Sequence, residues 1–255
     1  MLTATVGATR DVDTNATDFS EPLFFETIAN GLGQATRLGD SNVARIGAWA
    51  CHNIAGQLGT GSSHVDGLEA GAAIDAANAL DPTAVVVRGE SIALALVHGR
   101  LATDWVRHLN PEADDALVIA ARAHHLRRWE VPRTTYPEGK AGYLRWRKDQ
   151  KARHARDVEV ILNDVGYDHA TIQRVQVLLR REQLRTDADT QTLEDAACLV
   201  FIETQLAEMA PRFDREHLLQ VIRKTAAKMS AAGLGAVALL PIGAVEHELL
   251  AAALA

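Results

Sequence analysis

Two histidines near the middle of the chain are spaced so that they could act together. His98 lies twelve residues before Asn110, and His124 lies thirteen residues after Pro111. In an antiparallel helical hairpin that turns at Asn110-Pro111, both side chains would stand about 18 to 20 Å from the turn. Each shares a helix face with apolar residues, so both are expected to point inward and to face each other. Neighbouring helices are close enough for two imidazoles to share one ligand.

Three further residues could complete such a site. His125 adjoins His124, and because adjacent helical residues point about 100° apart, only one of the two can look straight at His98. His154 precedes an apolar stripe, and Asp195 lies on an apolar face where a buried carboxylate needs a cation, a metal or donors. Imidazoles with a carboxylate form a ligand set for Zn, Mn or Fe. The alternative is that each histidine is simply packed in the core or exposed at the surface.

A strongly basic segment follows the central histidines. Residues 122–156 contain eleven Lys or Arg and three acids, a local charge of +8, whereas the rest of the chain carries −15. Arginine forks suit phosphate groups, and aromatic rings can stack on a base, so the segment predicts a small anionic or nucleotide-like ligand, with RNA also possible. The candidate ligand-binding residues are Arg127, Arg128, Arg133, Lys140, Tyr143 and Arg145. Alternatively, the tryptophans here anchor the core and the arginines pair with acids.

Some kinds of protein are excluded or disfavoured by the sequence. It contains no GxSxG, GxGxxG or GxxxxGK[ST] motif, which argues against an esterase-type triad and the usual dinucleotide or P-loop sites. The start has no secretory pattern, and no apolar run approaches the roughly 18 residues of a membrane helix. We therefore expect a cytoplasmic protein without membrane contact.

The elements that must position these residues are predicted to be helices, so the fold class is all-α. Helical spacing and proline or glycine breaks predict helices at about 68–80, 89–109, 111–129, 143–165, 169–184, 192–209, 215–229 and 245–255. Two more helices are predicted between Phe19 and Leu58, after a loose arm. The Gly/Ser stretch at 59–63 suggests an N-terminal extension over residues 1–66 and a main domain over 67–255. The extension is a candidate surface for forming a homodimer.

Four stretches of the chain resemble a known family. AARAHHLRRWEVPR, YPEGKAGYLRWRKDQKARHA, ILNDVGYD and QTLEDAACLVFIE occur in order, and with them residues from about Leu68 to Leu240 resemble the uncharacterised family called domain of unknown function 4202. A more distant resemblance is to the HD superfamily of helical metal-dependent phosphohydrolases. It implies an HD-like bundle with a divalent metal ion (Mn, Fe or Zn), and with His98, His124, His125, His154 and Asp195 as metal ligands. The His-Asp doublet of that pattern is His124-His125 here, which leaves a one-metal site or a metal-free relic.

These observations together predict a metal-dependent hydrolase of a phosphorylated or nucleotide-like substrate. His124, His125 and Asp195 would carry the catalysis, and the basic segment would hold the anion. Two alternatives remain: an HD-type iron-dependent oxygenase, and a non-catalytic module that binds a nucleotide or RNA.

Overall fold

The structure is a computed structural model that describes residues 62–87 and 90–254; the side chains of residues 62–67, 86, 87 and 90 are not described. About three-quarters of the described chain (74%) is helical, which confirms the all-α prediction. The predicted arm, the helices between Phe19 and Leu58 and the proposed dimer surface lie outside the described residues. The first described helix, α1 (Ser62–Asn78), begins within the predicted linker and runs across the predicted domain boundary.

A short β-hairpin that the helical prediction missed follows α1. Strands β1 (Ala84–Val87) and β2 (Glu90–Ala93) are antiparallel, with Val85 opposite Ile92. The run of β-branched residues favours a strand over a helix. Helix α2 (Leu94–Leu109) therefore begins several residues later than the sequence predicted.

The central part of the fold is a helical hairpin packed on a long helix. Helix α2 packs against α3 (Asp115–Ala123) and against α6 (Ala188–Met209). Helix α3 begins at Asp115 rather than at Pro111, because the Asp114 side chain accepts a hydrogen bond from the Leu117 backbone N–H at 2.8 Å. It also ends at Ala123, earlier than predicted, and the chain continues through two 3₁₀ turns, Arg128–Glu130 and Arg133–Thr135.

The remaining helices enclose this centre. Helix α4 (Gly139–Val165) packs on α5 (His169–Arg180), and α7 (Arg215–Ala226) packs against α9 (Ala244–Leu254). Between these last two lie α8 (Ala231–Ala236), which the sequence did not predict, and a 3₁₀ turn at Val237–Leu239. Aspartates cap α5, α6 and α7, and Gly166 ends α4 in a left-handed conformation.

Candidate functional site

The loop that follows α3 is held against α4 by three side chains that share one face of that helix. Trp146, Gln150 and His154 recur every four residues, and each donates a hydrogen bond to a loop carbonyl. The Trp146 indole N–H reaches Val131 O at 2.9 Å, and the His154 Nδ1–H reaches Leu126 O at 2.7 Å. This stripe fixes the backbone that carries His124 and His125.

Four histidines meet where α2, α4 and this loop converge. The His125 ring lies 5.5 Å from the His98 ring, 4.0 Å from the His124 ring and 6.4 Å from the His154 ring, measured between centroids. The ring that hydrogen-bonds to His98 is that of His125. The spacing in the sequence predicts His124, one residue earlier, at the same distance from the hairpin turn as His98, but α3 starts and ends differently from the predicted helix. The structure thus brings together imidazoles that are far apart in sequence.

A small pocket that opens to solvent lies beside three of these rings. Positive charge dominates its lining, with one acidic side chain present. It is lined by His124, His125, Arg128, Arg147, Lys151, His154, Leu179, Arg181, Glu194 and Ala197.

The single acid in the pocket is already neutralised. Glu194 and Arg181 are both buried, and the Arg181 Nε donates to the Glu194 carboxylate at 3.0 Å. The Lys228 ammonium lies 4.0 Å from the other carboxylate oxygen. Arg181 adopts a left-handed backbone, φ +58°, which is rare for a residue with a side chain. Arg128, Arg147 and Lys151 add further positively charged side chains to the lining.

Burial keeps two of the imidazoles uncharged. Desolvation lowers the pKa of His125 well below its ordinary value, and the neighbouring His124 and Arg128 lower it further. Desolvation and then Arg128 likewise lower the pKa of His154. The free energy of placing another positive charge beside these cations is unfavourable, so both rings are neutral near pH 7.

The proton positions on two rings follow from their backbone partners. His124 and His154 place Nδ1 against a backbone carbonyl, Ala121 O at 2.9 Å and Leu126 O at 2.7 Å. A carbonyl can only accept, so Nδ1 carries the proton and Nε2 carries the lone pair. The His154 Nε2 is buried and has no hydrogen-bond partner among the residues that the structure describes. An acceptor left in this way beside a pocket can take a hydrogen-bond donor or a metal ion.

The fit to a divalent metal rests on the donor atoms. Metal-binding histidines usually donate the other ring N–H to a carbonyl or carboxylate, as His124 and His154 do. Among the described residues, however, no three His, Cys, Asp or Glu side chains are already grouped as a metal site. His124, His125 and His154 would be the residues that hold an ion.

The remaining predicted ligands have other partners. Both ring nitrogens of His98 are engaged, Nδ1 with His125 and Nε2 with Thr204, each at 3.3 Å. The Asp195 carboxylate accepts from the Ser230 backbone N–H at 2.9 Å, from the Ser230 hydroxyl and from the Gln191 amide. Asp195 thereby ties α6 to the start of α8, and its neighbour Glu194 lines the pocket instead.

Of the predicted anion-binding residues, Arg128 lines the pocket, and its guanidinium lies 4.5 Å from the centroid of the Trp146 ring. Arg133 is buried and donates to three carbonyls of its own loop. Tyr143 is buried, with the Arg147 guanidinium 5.9 Å from its ring, so it can position a pocket residue.

The other three candidates lie elsewhere. Arg127 pairs with Glu130 at 4.0 Å, and Arg145, whose side chain is 75% exposed, lies 3.8 Å from Asp149. Lys140 is exposed near the start of α4. None of these three is among the residues that line the pocket.

The sequence reasoning missed Arg147, Lys151, Arg181 and Glu194 as members of the site. Arg147, Lys151 and His154 are spaced at i, i+4 and i+7, which places them on one face of a helix and could have been noticed. No comparable signal marks Arg181, which reaches the pocket from the end of α5.

Comparison with known proteins gives one match. The family described as "Domain of unknown function (DUF4202)" matches residues 68–250. No curated protein and no solved structure matches the chain. Within the described residues, no helix has the length and apolar character to cross a membrane.

Proposed function

We propose that this chain, which belongs to the family described as domain of unknown function (DUF4202), binds the phosphate group of a small nucleotide-like ligand and hydrolyses it with the help of a divalent metal. One observation supports this most: cationic side chains from a loop and two helices converge on a pocket beside three imidazoles. A phosphate group is the common ligand that combines a charge of about −2 with several acceptor oxygens.

Arg128, Arg147 and Lys151 would bind the phosphoryl oxygens, because their cationic side chains line the pocket beside the imidazoles. Their charge would also stabilise a transition state in which negative charge spreads over those oxygens. His125 and His154, being neutral, can accept a proton at Nε2 or coordinate an ion, whereas protonated rings could do neither. When bound, a divalent metal would supply Lewis-acid polarisation of the phosphoryl group.

The proposal includes the resemblance to the HD superfamily, but with a different set of metal ligands. The pattern assigned metal ligands to His98 and Asp195, but hydrogen bonds occupy both residues. The set that we propose instead is His124, His125 and His154, which line the pocket, with Glu194 as the nearby carboxylate. The iron-dependent oxygenase, the RNA-binding module, the homodimer and the cytoplasmic location stay predictions.

The helix α4 offers a matched test of the anion site. We expect Arg147→Gln and Lys151→Gln each to weaken binding of inorganic phosphate about tenfold or more, since a charge-assisted hydrogen bond contributes about 1.5 to 3 kcal/mol. Arg145→Gln and Lys148→Gln remove exposed charges from the same helix and should change the affinity by less than twofold. Isothermal titration calorimetry gives the four affinities. Equal losses in all four variants would show that only the general charge of the helix matters.

Two further measurements separate binding from turnover. Phosphate release from a panel of nucleoside and sugar phosphates should be detected for the wild type and lost in Arg147→Gln. Elemental analysis of protein purified without chelators should find a divalent metal, reduced by His154→Ala. Phosphate binding with no release from any member of the panel would favour the non-catalytic module and overturn hydrolysis.

A further inference from the structure

Behind the pocket, a short chain of hydrogen bonds starts at Thr204. The Thr204 hydroxyl lies 2.7 Å from Val200 O and 3.3 Å from His98 Nε2. The hydroxyl has one proton, and the shorter contact is the usual bond from a helical threonine to the carbonyl four residues earlier. Since that proton goes to Val200 O, the Thr204 oxygen accepts from His98. The Nε2 of His98 therefore carries a proton.

This assignment fixes the next proton in the chain. A neutral His98 with its proton on Nε2 has a lone pair on Nδ1, and that Nδ1 lies 3.3 Å from the Nδ1 of His125. Two nitrogens in contact need one donor and one acceptor. His98 is the acceptor, so His125 donates from Nδ1, which leaves the lone pair of His125 on Nε2.

The three imidazoles of the pocket then share one tautomer. Backbone carbonyls give His124 and His154 a proton on Nδ1, and the Nδ1 of His98 does the same for His125. We propose that Thr204 and His98 are positioning residues that hold His125 in the Nδ1–H form, so that all three pocket imidazoles carry their lone pairs on Nε2.

The consequence concerns what the pocket can accept. Three Nε2 lone pairs make the histidine side of the pocket a set of acceptors, whereas a proton on the Nε2 of His125 would place a donor among them. Acceptors of this kind suit a divalent metal ion or a ligand that presents hydroxyl protons. This use of the tautomer rests on the proposed function, but the tautomer itself can be measured without any substrate.

Nitrogen-15 NMR of protein labelled on its histidine rings measures the tautomer directly. The chain has ten histidines, and the His125→Gln variant identifies the His125 signals by their loss. We expect wild-type His125 to carry its proton on Nδ1 at pH 7.5. Thr204→Val, which keeps the side-chain shape but removes the acceptor for His98, should convert His125 to a mixture of tautomers. Thr204→Ser should restore the Nδ1–H form.

The outcomes separate this proposal from the proposed function. A proton on the Nε2 of wild-type His125, or His125 signals that Thr204→Val leaves unmoved, would overturn the role of Thr204 and His98. Circular dichroism on Thr204→Val verifies that the variant is folded. If the tautomer is as stated and no phosphate is released, the positioning role stands and the hydrolytic function falls.

Discussion

At the residue scale, a buried contact between a carboxylate and an aromatic side chain lies next to the histidine cluster. Glu203 precedes Thr204 on α6, and its carboxylate accepts from the Trp105 indole N–H at 2.9 Å. Burial raises the pKa of Glu203 to about 7; the Trp105 bond lowers it, and the nearby Asp104 raises it further. Burial also raises the pKa of Asp104, to about 6. These two acids therefore lose their protons near neutral pH.

The ionisation of Glu203 should make the fold less stable as the pH rises. Its pKa is higher in the folded chain than its ordinary value of 4.5, so the folded state holds the proton more tightly than the unfolded state. Raising the pH from about 4.5 to 8 should cost the wild type about 3 kcal/mol that Glu203→Gln does not lose, because the glutamine cannot ionise.

Urea unfolding of both proteins across this pH range tests the point. As the pH rises, the free energy of unfolding of the wild type should fall relative to that of Glu203→Gln, whichever of the two proteins is more stable at pH 4.5. A difference that stays constant from pH 4.5 to 8 would mean that Glu203 titrates normally.

At the element scale, the crossing of α2 and α3 sets the distance between His98 and His125. Gly99 lies at this crossing, and a Cβ built there would come within 2.6 Å of the Arg122 carbonyl oxygen. A backbone atom cannot move aside as a flexible side chain can. The absence of a side chain at Gly99 therefore allows the two helices to approach.

We expect Gly99→Ala to destabilise the fold by about 1 to 3 kcal/mol, because the helices must separate. The same separation should lengthen the His98–His125 contact and weaken phosphate binding. Gly71→Ala is the matched control, since Gly71 lies inside α1 with nothing within 4 Å of the added Cβ, and helix propensity should then raise stability by about 0.5 to 1 kcal/mol. Thermal unfolding of both variants measures the effect; an unchanged melting temperature for Gly99→Ala would contradict the close crossing.

Most helices of the described chain could be predicted from apolar spacing and breaking residues, but their ends could not. Helix α3 is the instructive case: the sequence offers Pro111 as a start, yet the Asp114 cap sets the first turn at Asp115. The helix also ends at Ala123, so His124 and His125 follow it, and His125 is the residue that hydrogen-bonds to His98. The periodicity of a sequence gives the face of a helix, whereas caps and loop contacts decide its length.

At the scale of the whole molecule, the basic segment is divided between structure and site. Arg122 binds Asp75, Arg153 pairs with Glu130, and Arg133 donates hydrogen bonds to carbonyls of its own loop. These three charges therefore stabilise the fold itself. Arg128, Arg147 and Lys151 line the pocket. The sequence showed an excess of positive charge but not this division, because the partners of these arginines, such as Asp75 on α1 for Arg122, depend on how the chain folds.

The proximity of the histidines could be predicted in part from the hairpin geometry, whereas the hydrogen-bond partners of Asp195 could not. Its apolar helix face indicated burial, which is correct, since the residue is 2% exposed. The donors that satisfy it belong mainly to Ser230, thirty-five positions later, at the start of a helix that the sequence did not predict. A buried carboxylate in a sequence thus predicts a partner without identifying it.

The central claim is that the histidine pocket holds a phosphate-like anion, and anomalous X-ray diffraction from crystals soaked in tungstate tests it most directly. Tungstate has the shape and charge of a phosphate dianion, and its heavy atom can be located unambiguously. We predict a tungsten peak in the pocket within reach of Arg147 and Lys151, and its loss in the Arg147→Gln Lys151→Gln double variant. A peak found only beside Arg145 and Lys148 on the exposed side of α4, or no ordered anion in the pocket, would contradict the claim.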